Sequence, residues 1–396
     1  MHKVLIRPLE IEDASVSWKW RNDPEVWNYT GSRPDREITY EIELEWIKKV
    51  LNDKTTKRFA ILVDETYVGN IQLTDIHEQS AEYHIFIGNK NFWRKGISSL
   101  ATYEILHYAK EELRLKNIYL SVREDNIYAV KSYIKSTFNK VSEEDGWIKM
   151  NCDLALLPPP TVSVFVMVYN HEKYIAECLD GILMQKCNFS YNIVVGEDAS
   201  TDKSREILLE YCIKYPGKFK LILHEKNIGA ASNQIAVFRA CTGKYIALCE
   251  GDDYWTDPYK LQKQVDFLEE NPGYSLCVGG FKKHNVITKN EEDIIIIPKG
   301  VVTNDKGYAF TLNDTKKGWL TKTLTSVFRN DKDIFNLMTH YRYGRDVNLF
   351  YHILKTGKGF YFTEIMGVYR VHEGGVNSMK QGRVNSNAAY NRLYND

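Results

Sequence analysis

A cluster of carboxylates directly follows an apolar segment in the second half of the chain. Residues 245–249, YIALC, run into Glu250, Gly251, Asp252 and Asp253. Hard divalent cations such as Mg2+ prefer carboxylate oxygens and keep open positions that phosphate oxygens can fill. Gly251 lets the backbone between two acids bend towards a ligand. The pattern therefore predicts a site for a cation and a phosphate at the end of a strand.

Two other apolar segments end in polar residues in the same way. Tyr169 and Glu172 follow the segment VSVFVMV, and Glu197 and Asp198 close the segment YNIVVGED. In a parallel sheet the carboxyl ends of the strands share one edge, and nucleotides bind along that edge. We therefore expect a nucleotide here, with a simple capped turn as the alternative role for Asp198.

The first half of the chain offers a different anion site. Lys95, Gly96, Ile97 and Ser98 separate a strand-like segment from a long amphipathic one. Backbone N–H groups at the start of a helix are unpaired and carry partial positive charge, so they can hold a diphosphate. The alternative is that Gly96 is only the turn residue before that helix.

Candidate proton-transfer groups lie on the preceding segment, AEYHIFIG. Alternation along a strand places Glu82 and His84 on one face and Tyr83 on the other. Either titratable side chain could remove a proton from an amine, and a solvated strand face is the alternative. In the nearby segment 18–29, Arg21 is the residue best suited to contact a phosphate.

Three consecutive prolines, Pro158–Pro160, divide the chain, because proline continues neither a helix nor a central strand. Strands and helices before them predict a mixed α/β unit, and the regular alternation after them predicts a doubly wound parallel sheet. We expect domains at 1–153 and 162–396, joined by a proline-rich linker at 154–161. The Asn-rich end, 379–396, has weak folding signals.

The composition is that of a soluble globular protein without a nucleic-acid partner. The 52 basic and 52 acidic residues cancel, so no global field attracts nucleic acid. Seven cysteines without a CxxC pair favour a reducing compartment. Because neither a signal segment nor a long apolar run stands out, we expect a cytoplasmic protein, at most peripheral to the inner face of the cell membrane.

Residues 3–150 resemble the GNAT acyltransferase superfamily, through the order of their elements, the loop WRKGIS and the segment EDNIYAVKSYIKSTF. The closest resemblance is to members that acetylate ribosomal-protein termini or the amino groups of nucleotide sugars. It implies the GNAT fold, with Tyr133 protonating the departing thiolate. Two residues depart from the family pattern. Ser98 stands where the family usually has Gly or Ala, and Thr137 stands where it usually has Gly. The residues implied in acetyl-CoA binding are Trp93, Arg94, Lys95, Gly96, Ile97, Ser98 and Asn126.

Residues 161–378 resemble glycosyltransferase family 2 with the GT-A fold. The motifs VVGEDASTDKS, ALCEGDDYW and GRDVNLFYHILKTG, with VYRVH, carry the resemblance in the right order. It implies a nucleotide-sugar donor of UDP or dTDP type, Mn2+ or Mg2+ held by Asp252 and His372, and Asp346 as catalytic base. The residues implied in nucleotide-sugar binding are Tyr169, Glu172, Asp198, Glu250, Asp252 and Asp253.

The two resemblances together imply a bifunctional enzyme of bacterial surface-polysaccharide synthesis. The first domain would acetylate an amino sugar, linked to a nucleotide, and the second would transfer a sugar with inversion to a glycan or lipid-linked acceptor. Two alternatives remain for the first domain. It could be a non-catalytic binding module, or it could acetylate a protein amine.

Overall fold

The computed structural model describes residues 1–29, 34–316, 318–339, 341 and 346–375. The chain divides into two compact units. The first comprises Met1–Pro158 with Asn188–Ser190 and Tyr211–Phe219, and the second comprises Pro159–Cys187, Tyr191–Glu210 and the residues from Lys220 onward. The expected domain and linker boundaries stay a prediction, and the segment 379–396 lies outside the described residues.

Seven strands and five α-helices are described before the prolines. The strands are β1 Val4–Pro8, β2 Lys57–Val63, β3 Thr66–His77, β4 Ser80–Ile87, β5 Asn117–Arg123, β6 Asn139–Glu144 and β7 Trp147–Asp153. The helices are α1 Ala14–Arg21, α2 Pro24–Trp27, α3 Tyr40–Leu51, α4 Ile97–Glu111 and α5 Ile127–Lys135. Short 3-10 turns lie at Ile11–Asp13, Lys90–Phe92 and Leu154–Leu156.

One mixed sheet, in the order β1-β2-β3-β4-β5-β7-β6, forms the centre of this unit. The amphipathic helix α4 packs Ile97, Ala101 and Ile105 into its core, because residues four apart share one helix face. β4 and β5 run parallel and pair only over Ser80–Glu82 and Asn117–Tyr119. The rest of β4 therefore has no β5 partner, which opens the sheet at its middle.

Ten strands and seven α-helices are described after the prolines. The strands are β8 Val162–Val168, β9 Tyr191–Glu197, β10 Phe219–Leu223, β11 Tyr245–Leu248, β12 Tyr254–Trp255, β13 Tyr274–Asn285, β14 Glu291–Ile294, β15 Gly307–Phe310, β16 Val327–Arg329 and β17 Lys358–Val371. The helices are α6 Ile175–Leu183, α7 Ser204–Lys214, α8 Ala230–Ala240, α9 Lys260–Glu270, α10 Leu312–Thr315, α11 Lys332–Met338 and α12 Asp346–Thr356, with a 3-10 turn at Thr323–Thr325.

The second sheet follows the order β10-β9-β8-β11-β16-β13-β17-β12, with β14 beside β13 and β15 beside β17. β8 is parallel to both β9 and β11, which confirms the parallel part of the prediction. β16 then pairs antiparallel with β11 and β13, so the complete sheet is mixed. Among the described residues, no helix combines the length and apolar character that crossing a membrane requires.

Candidate active sites

The loop before α4 has the backbone shape of an anion site. Arg94 and Gly96 both have left-handed backbone, with φ of 60° and 76°, and the Trp93 indole N–H donates to the carbonyl of Ile87 at 2.7 Å. A Cβ at Gly96 would meet no atom within 4 Å, so the space in front of it is open. Successive N–H groups in such a turn form a concave nest that favours anions.

The start of α4 leaves donors free for the same ligand. Gly96 supplies no side-chain cap to this 15-residue helix, and the first N–H groups of a helix have no partner within it. Arg94 lies over the Tyr128 ring at 4.6 Å and Lys95 over the Phe92 ring at 5.4 Å. The predicted loop therefore combines free N–H donors with two cations, and its binding to acetyl-CoA stays a prediction.

Tyr133 lies on α5, where its ring meets those of Tyr83 and Phe138 at 5.9 Å and 5.8 Å. Burial raises the pKa of Tyr133 to about 12, so the phenol keeps its proton at neutral pH. Its hydroxyl makes no hydrogen bond within the described residues. Asn126 is the N-cap of α5, since its side-chain oxygen accepts the N–H of Ala129 at 3.2 Å.

Glu82 and His84 are brought together on β4, as the alternation predicts. His84 Nε2 lies 3.3 Å from Glu82 Oε2 and 2.9 Å from Thr74 Oγ1. The side chains are 44% and 34% exposed for His84 and Glu82, so both reach solvent. Tyr83 points to the opposite face, towards Tyr133. The candidate base and the candidate acid therefore flank β4 from opposite faces, near the point where its pairing with β5 stops.

In the second half, the loops after β8 and β9 are joined by hydrogen bonds. The Glu172 N–H donates to Asp202 Oδ2 at 2.9 Å, and Glu172 Oε2 accepts the N–H of Lys203 at 3.1 Å. The Asn170 N–H likewise donates a hydrogen bond to Ser200 Oγ at 3.0 Å. Tyr169 is 45% exposed beside them. This arrangement holds Tyr169 and Glu172 at the carboxyl edge where the nucleotide is expected.

Asp198 has a positioning role at the same edge. It is 3% exposed, and its two oxygens accept the N–H groups of Ile228 and Gly229 at 2.7 Å and 3.0 Å. These bonds fix the loop that leads into α8. Its predicted contact with a nucleobase or ribose stays a prediction.

The carboxylate cluster is packed around Gly251. A Cβ at this position would lie 2.7 Å from His171 Nδ1 and 2.8 Å from the carbonyl oxygen of Met167, so only glycine fits. Glu250 Oε2 is buried and has no hydrogen-bond partner. Burial raises the pKa of Glu250 to about 7, opposed by the Thr323 hydroxyl and the Lys322 charge.

Asp252 and His372 lie in direct contact, 120 residues apart in sequence. Asp252 Oδ2 is 3.0 Å from His372 Nε2. Burial alone would raise the pKa of Asp252, but the hydrogen bond from His372 and the charge of His171 outweigh it and lower this pKa. Asp252 is thus the ionised acid of the cluster.

The Asp253 side chain is buried against the backbone of Arg370 and not against His372. It is 1% exposed, its Oδ1 accepts the backbone N–H of Arg370 at 2.8 Å, and burial raises its pKa well above the usual value. The Arg370 guanidinium donates to the Asp252 carbonyl at 2.7 Å and also pairs with Glu177. Asp253 therefore ties the acidic loop to β17, and its predicted contact with the nucleotide sugar stays a prediction.

The donors suit a cation that takes most of its ligands from substrate and water. Within the described residues, no group of three or more His, Cys, Asp or Glu side chains could hold a metal ion. Asp252 and His372 provide two donors, and Mg2+ is commonly held by one or two protein ligands together with phosphates and water. Two further polar atoms near Asp252 and His372, Glu250 Oε2 and His171 Nδ1, are buried and have no hydrogen-bond partner.

Asp346 is the first residue of α12, and its Oδ1 accepts the N–H of Val347 at 3.0 Å. An acid in the first turn of a helix is stabilised by the helix dipole. The preceding residue, Arg345, lies outside the described residues. The role of Asp346 as base stays a prediction.

Two residues at this edge were not found from the sequence. His171 contacts the Gly251 position, and burial lowers its pKa. The Lys322 ammonium lies 3.3 Å from the centroid of the Tyr369 ring, and its charge acts on both Glu250 and Asp253. The position of His171 between Tyr169 and Glu172, directly after β8, is a sequence signal for this edge, whereas nothing around Lys322 in the sequence marks it.

The two halves match two enzyme families. Residues 3–139 match the acetyltransferase (GNAT) domain, and residues 163–329 match glycosyl transferase family 2. Acetyltransferase PseH of Campylobacter jejuni is 28% identical over 136 residues, which are 34% of this chain and 83% of PseH. TuaG of Bacillus subtilis, whose name assigns it to teichuronic acid biosynthesis as a glycosyltransferase, is 25% identical over 225 residues, 56% of this chain and 83% of TuaG.

An uncharacterized protein of Mycobacterium tuberculosis is 46% identical over 116 residues, or 29% of this chain. The chain spans 34% of the length of that protein and of the other first curated relatives that it matches. The family models assign residues 3–139 to the first family and residues 163–329 to the second. The chain joins a GNAT acetyltransferase domain to a glycosyltransferase family 2 domain.

Proposed function

We propose that the chain is a bifunctional enzyme of bacterial surface-polysaccharide synthesis. One half acetylates an amino sugar, linked to a nucleotide, with acetyl-CoA, and the other transfers a sugar from a nucleotide sugar to a glycan or lipid-linked acceptor. The observation that carries the proposal is the contact between Asp252 and His372 at the nucleotide edge of a family 2 domain. The polysaccharide setting is supported by the name of TuaG.

In the glycosyltransferase half, Tyr169 and Glu172 bind the nucleoside, and Asp252 and His372 would hold Mn2+ or Mg2+. The chemistry that a cation held there would supply is neutralisation of charge on the departing diphosphate. Asp346 removes the proton from the acceptor hydroxyl, and a single displacement from the opposite side inverts the anomeric carbon. Asp198 and Asp253 position the loops that carry these groups.

In the acetyltransferase half, the residues from Trp93 to Ser98 bind the diphosphate of acetyl-CoA, and the side-chain NH2 group of Asn126 contacts the pantetheine arm. Glu82 or His84 removes a proton from the amine, and Tyr133 donates one to the departing sulfur. The opposite faces of β4 suit this division, because the proton leaves on one side and is supplied on the other. The choice of an amino sugar rests on the fusion with a sugar transferase.

The test is a screen of UDP- and dTDP-linked sugars and amino sugars with the full chain. Sugar transfer is followed as donor hydrolysis with Mn2+ or Mg2+, and acetylation as release of free CoA. We expect Asp252→Asn to abolish the first reaction and spare the second. Tyr133→Phe should slow the second by about 10²- to 10⁴-fold and spare the first. Donor hydrolysis that survives chelation would contradict the cation-dependent mechanism.

Two further measurements separate the alternatives for the first half. Calorimetric titration that detects no binding of acetyl-CoA would identify a non-catalytic module. Acetylation of peptide amines in preference to every amino sugar, measured by mass spectrometry, would identify a protein acetyltransferase.

A further inference from the structure

An arginine with unused donors lies between two indole rings in the first unit. The Arg21 guanidinium carbon is 4.9 Å from the Trp27 ring centroid and 5.1 Å from that of Trp46. Its side chain is 23% exposed, and its Nε forms a long ion pair with Glu43 Oε2 at 3.9 Å, beyond hydrogen-bond distance. None of its five N–H groups donates a hydrogen bond within the described residues, and Nε is buried. Buried donors are nearly always paired, so this guanidinium lacks an acceptor.

Arg58 on β2 adds a second cation to the same place. Its guanidinium carbon lies 5.2 Å from the Trp46 ring centroid, its Nη1 donates to Gln72 Oε1, and its Nε is buried without a partner. Burial lowers the pKa of Arg58, and the charge of Arg21 acts in the same direction. The guanidinium groups of Arg21 and Arg58 therefore both contact the Trp46 indole ring, and their positive charges repel each other.

The acids nearby balance only part of these two charges, because of the described acids Glu43 alone lies within ion-pair distance of Arg21. Glu43 is buried and shares its carboxylate with the Ser17 hydroxyl at 2.7 Å. Asp53 acts on Arg58 from a distance, but it is fully exposed and accepts hydrogen bonds from Thr55. The cluster of Arg21, Arg58 and Trp46 thus keeps an excess of positive charge together with free, forked donors.

The sheet register relates this cluster to the candidate base. Arg58 pairs with Gln72 across β2 and β3, and Gln72 pairs with His84 across β3 and β4. Residues directly opposite each other in neighbouring strands have side chains on the same face. Strands lie about 4.8 Å apart, so the backbones of Arg58 and His84 are roughly 10 Å apart on one face.

We infer that Arg21 and Arg58 bind a phosphate group of the acetyl acceptor, while its amine reaches Glu82 and His84. This inference rests on the proposed acetylation, and it selects phosphate-bearing amines over polyamines, which the two cations would repel. Planar guanidinium groups bind phosphate through paired hydrogen bonds, which supplies the acceptor that Arg21 lacks. The spacing fits an amine and a phosphate at two ends of one sugar unit.

Anion binding can be tested without any acetylation. The full chain is titrated calorimetrically with inorganic pyrophosphate, in the presence of EDTA and saturating CoA, so that the acetyl-CoA loop is filled. We expect Arg21→Gln and Arg58→Gln each to weaken binding about tenfold or more, and Lys49→Gln, which removes an exposed cation from α3, to leave it unchanged. No binding, or equal binding by all variants, would overturn the inference. Arg21→Lys keeps the positive charge and much of the side-chain volume, so it is the control for a folding defect in Arg21→Gln.

Kinetics then connect the site to acetylation. For an accepted amino sugar, the nucleotide-linked form and the free sugar are compared as substrates. Arg21→Gln should raise KM for the phosphate-bearing form about tenfold or more and leave kcat/KM for the free sugar unchanged. Equal losses for both forms would show a structural role and overturn the inference. Pyrophosphate binding without acetylation of any amino sugar would refute the proposed function and leave the anion site standing.

Discussion

Replacement of Gly251 by alanine tests the geometry of the acidic loop directly. The added Cβ would lie 2.8 Å from the carbonyl oxygen of Met167 and 2.7 Å from His171 Nδ1, whereas ordinary contacts begin at 3.4 Å. One side must therefore move by about 0.6 Å (3.4 minus 2.8). Met167 cannot easily retreat, because its carbonyl accepts the N–H of Gly251 itself at 3.1 Å. The displacement falls on the loop that carries Glu250 and Asp252.

The cost of this displacement can be worked out from both stability and activity. Overpacking of this kind costs about 1–3 kcal/mol, which lowers Tm by roughly 2–4 °C per kcal/mol in a unit of this size. A shift of Asp252, the carboxylate proposed to hold the cation, should reduce donor turnover by about 10- to 100-fold. Thermal unfolding by circular dichroism and hydrolysis of the donor nucleotide sugar measure the two effects separately.

Gly273→Ala is the matched control for this variant. A Cβ at Gly273 meets no atom within 4 Å and its backbone is not left-handed, so we expect its stability to stay within about 0.5 kcal/mol of the parent. If Gly251→Ala also kept its Tm and donor turnover, the close packing of His171 and Met167 around the loop would be refuted.

Three further predictions concern single titratable groups. Asp253→Asn should keep donor turnover and change stability by about 1 kcal/mol or less, because a buried, neutral carboxyl resembles an amide, whereas Asp252→Asn should abolish turnover. Tyr133→Phe should slow acetyl transfer by about 10²- to 10⁴-fold without changing acetyl-CoA affinity; with a pKa of about 12, Tyr133 should cause no alkaline loss of rate near neutrality. Burial lowers the pKa of His107 to about 4, so the unfolded chain takes up a proton first as the pH falls. The stability present above about pH 6.5 should then decrease by up to about 3 kcal/mol towards pH 4, and pH-dependent unfolding of His107→Asn should lack this decrease.

The fold was predictable where the sequence repeats a period over many residues. The long amphipathic segment expected after the loop at Gly96 is α4, Ile97–Glu111, and the apolar segment VSVFVMV is β8, Val162–Val168. The antiparallel insertion of β16 was not predictable, because a strand of three residues, Val327–Arg329, is too short to show alternation. The second sheet is mixed in part because this short strand pairs antiparallel with both β11 and β13.

The acidic cluster shows the same limit at the level of single side chains. Glu250, Asp252 and Asp253 were all assigned to the nucleotide sugar, and the family resemblance assigned Asp252 to the cation as well. Their surroundings separate them: Asp252 faces His372, Asp253 is tied to the backbone of Arg370, and Glu250 Oε2 is buried without a partner. Arg370 lies at the end of β17 and His372 directly after it, more than a hundred residues later. The resemblance indicated the pairing of Asp252 with His372, but spacing alone could not show that Asp253 is tied to the backbone and that Glu250 Oε2 is left without a partner.

The relation between Arg58 and His84 depends on a still smaller feature, a bulge in the β2–β3 hairpin. Leu62 pairs with Tyr67, but Ile61 pairs with Gly69, so β3 has one extra residue at this point. Without the bulge, Arg58 would pair with the fully buried Ile71 and share its face. With it, Arg58 pairs with Gln72 and joins the polar row that ends at His84. A register slip of one residue exchanges the two faces of a strand, and so the phosphate site inferred above exists only in the bulged register.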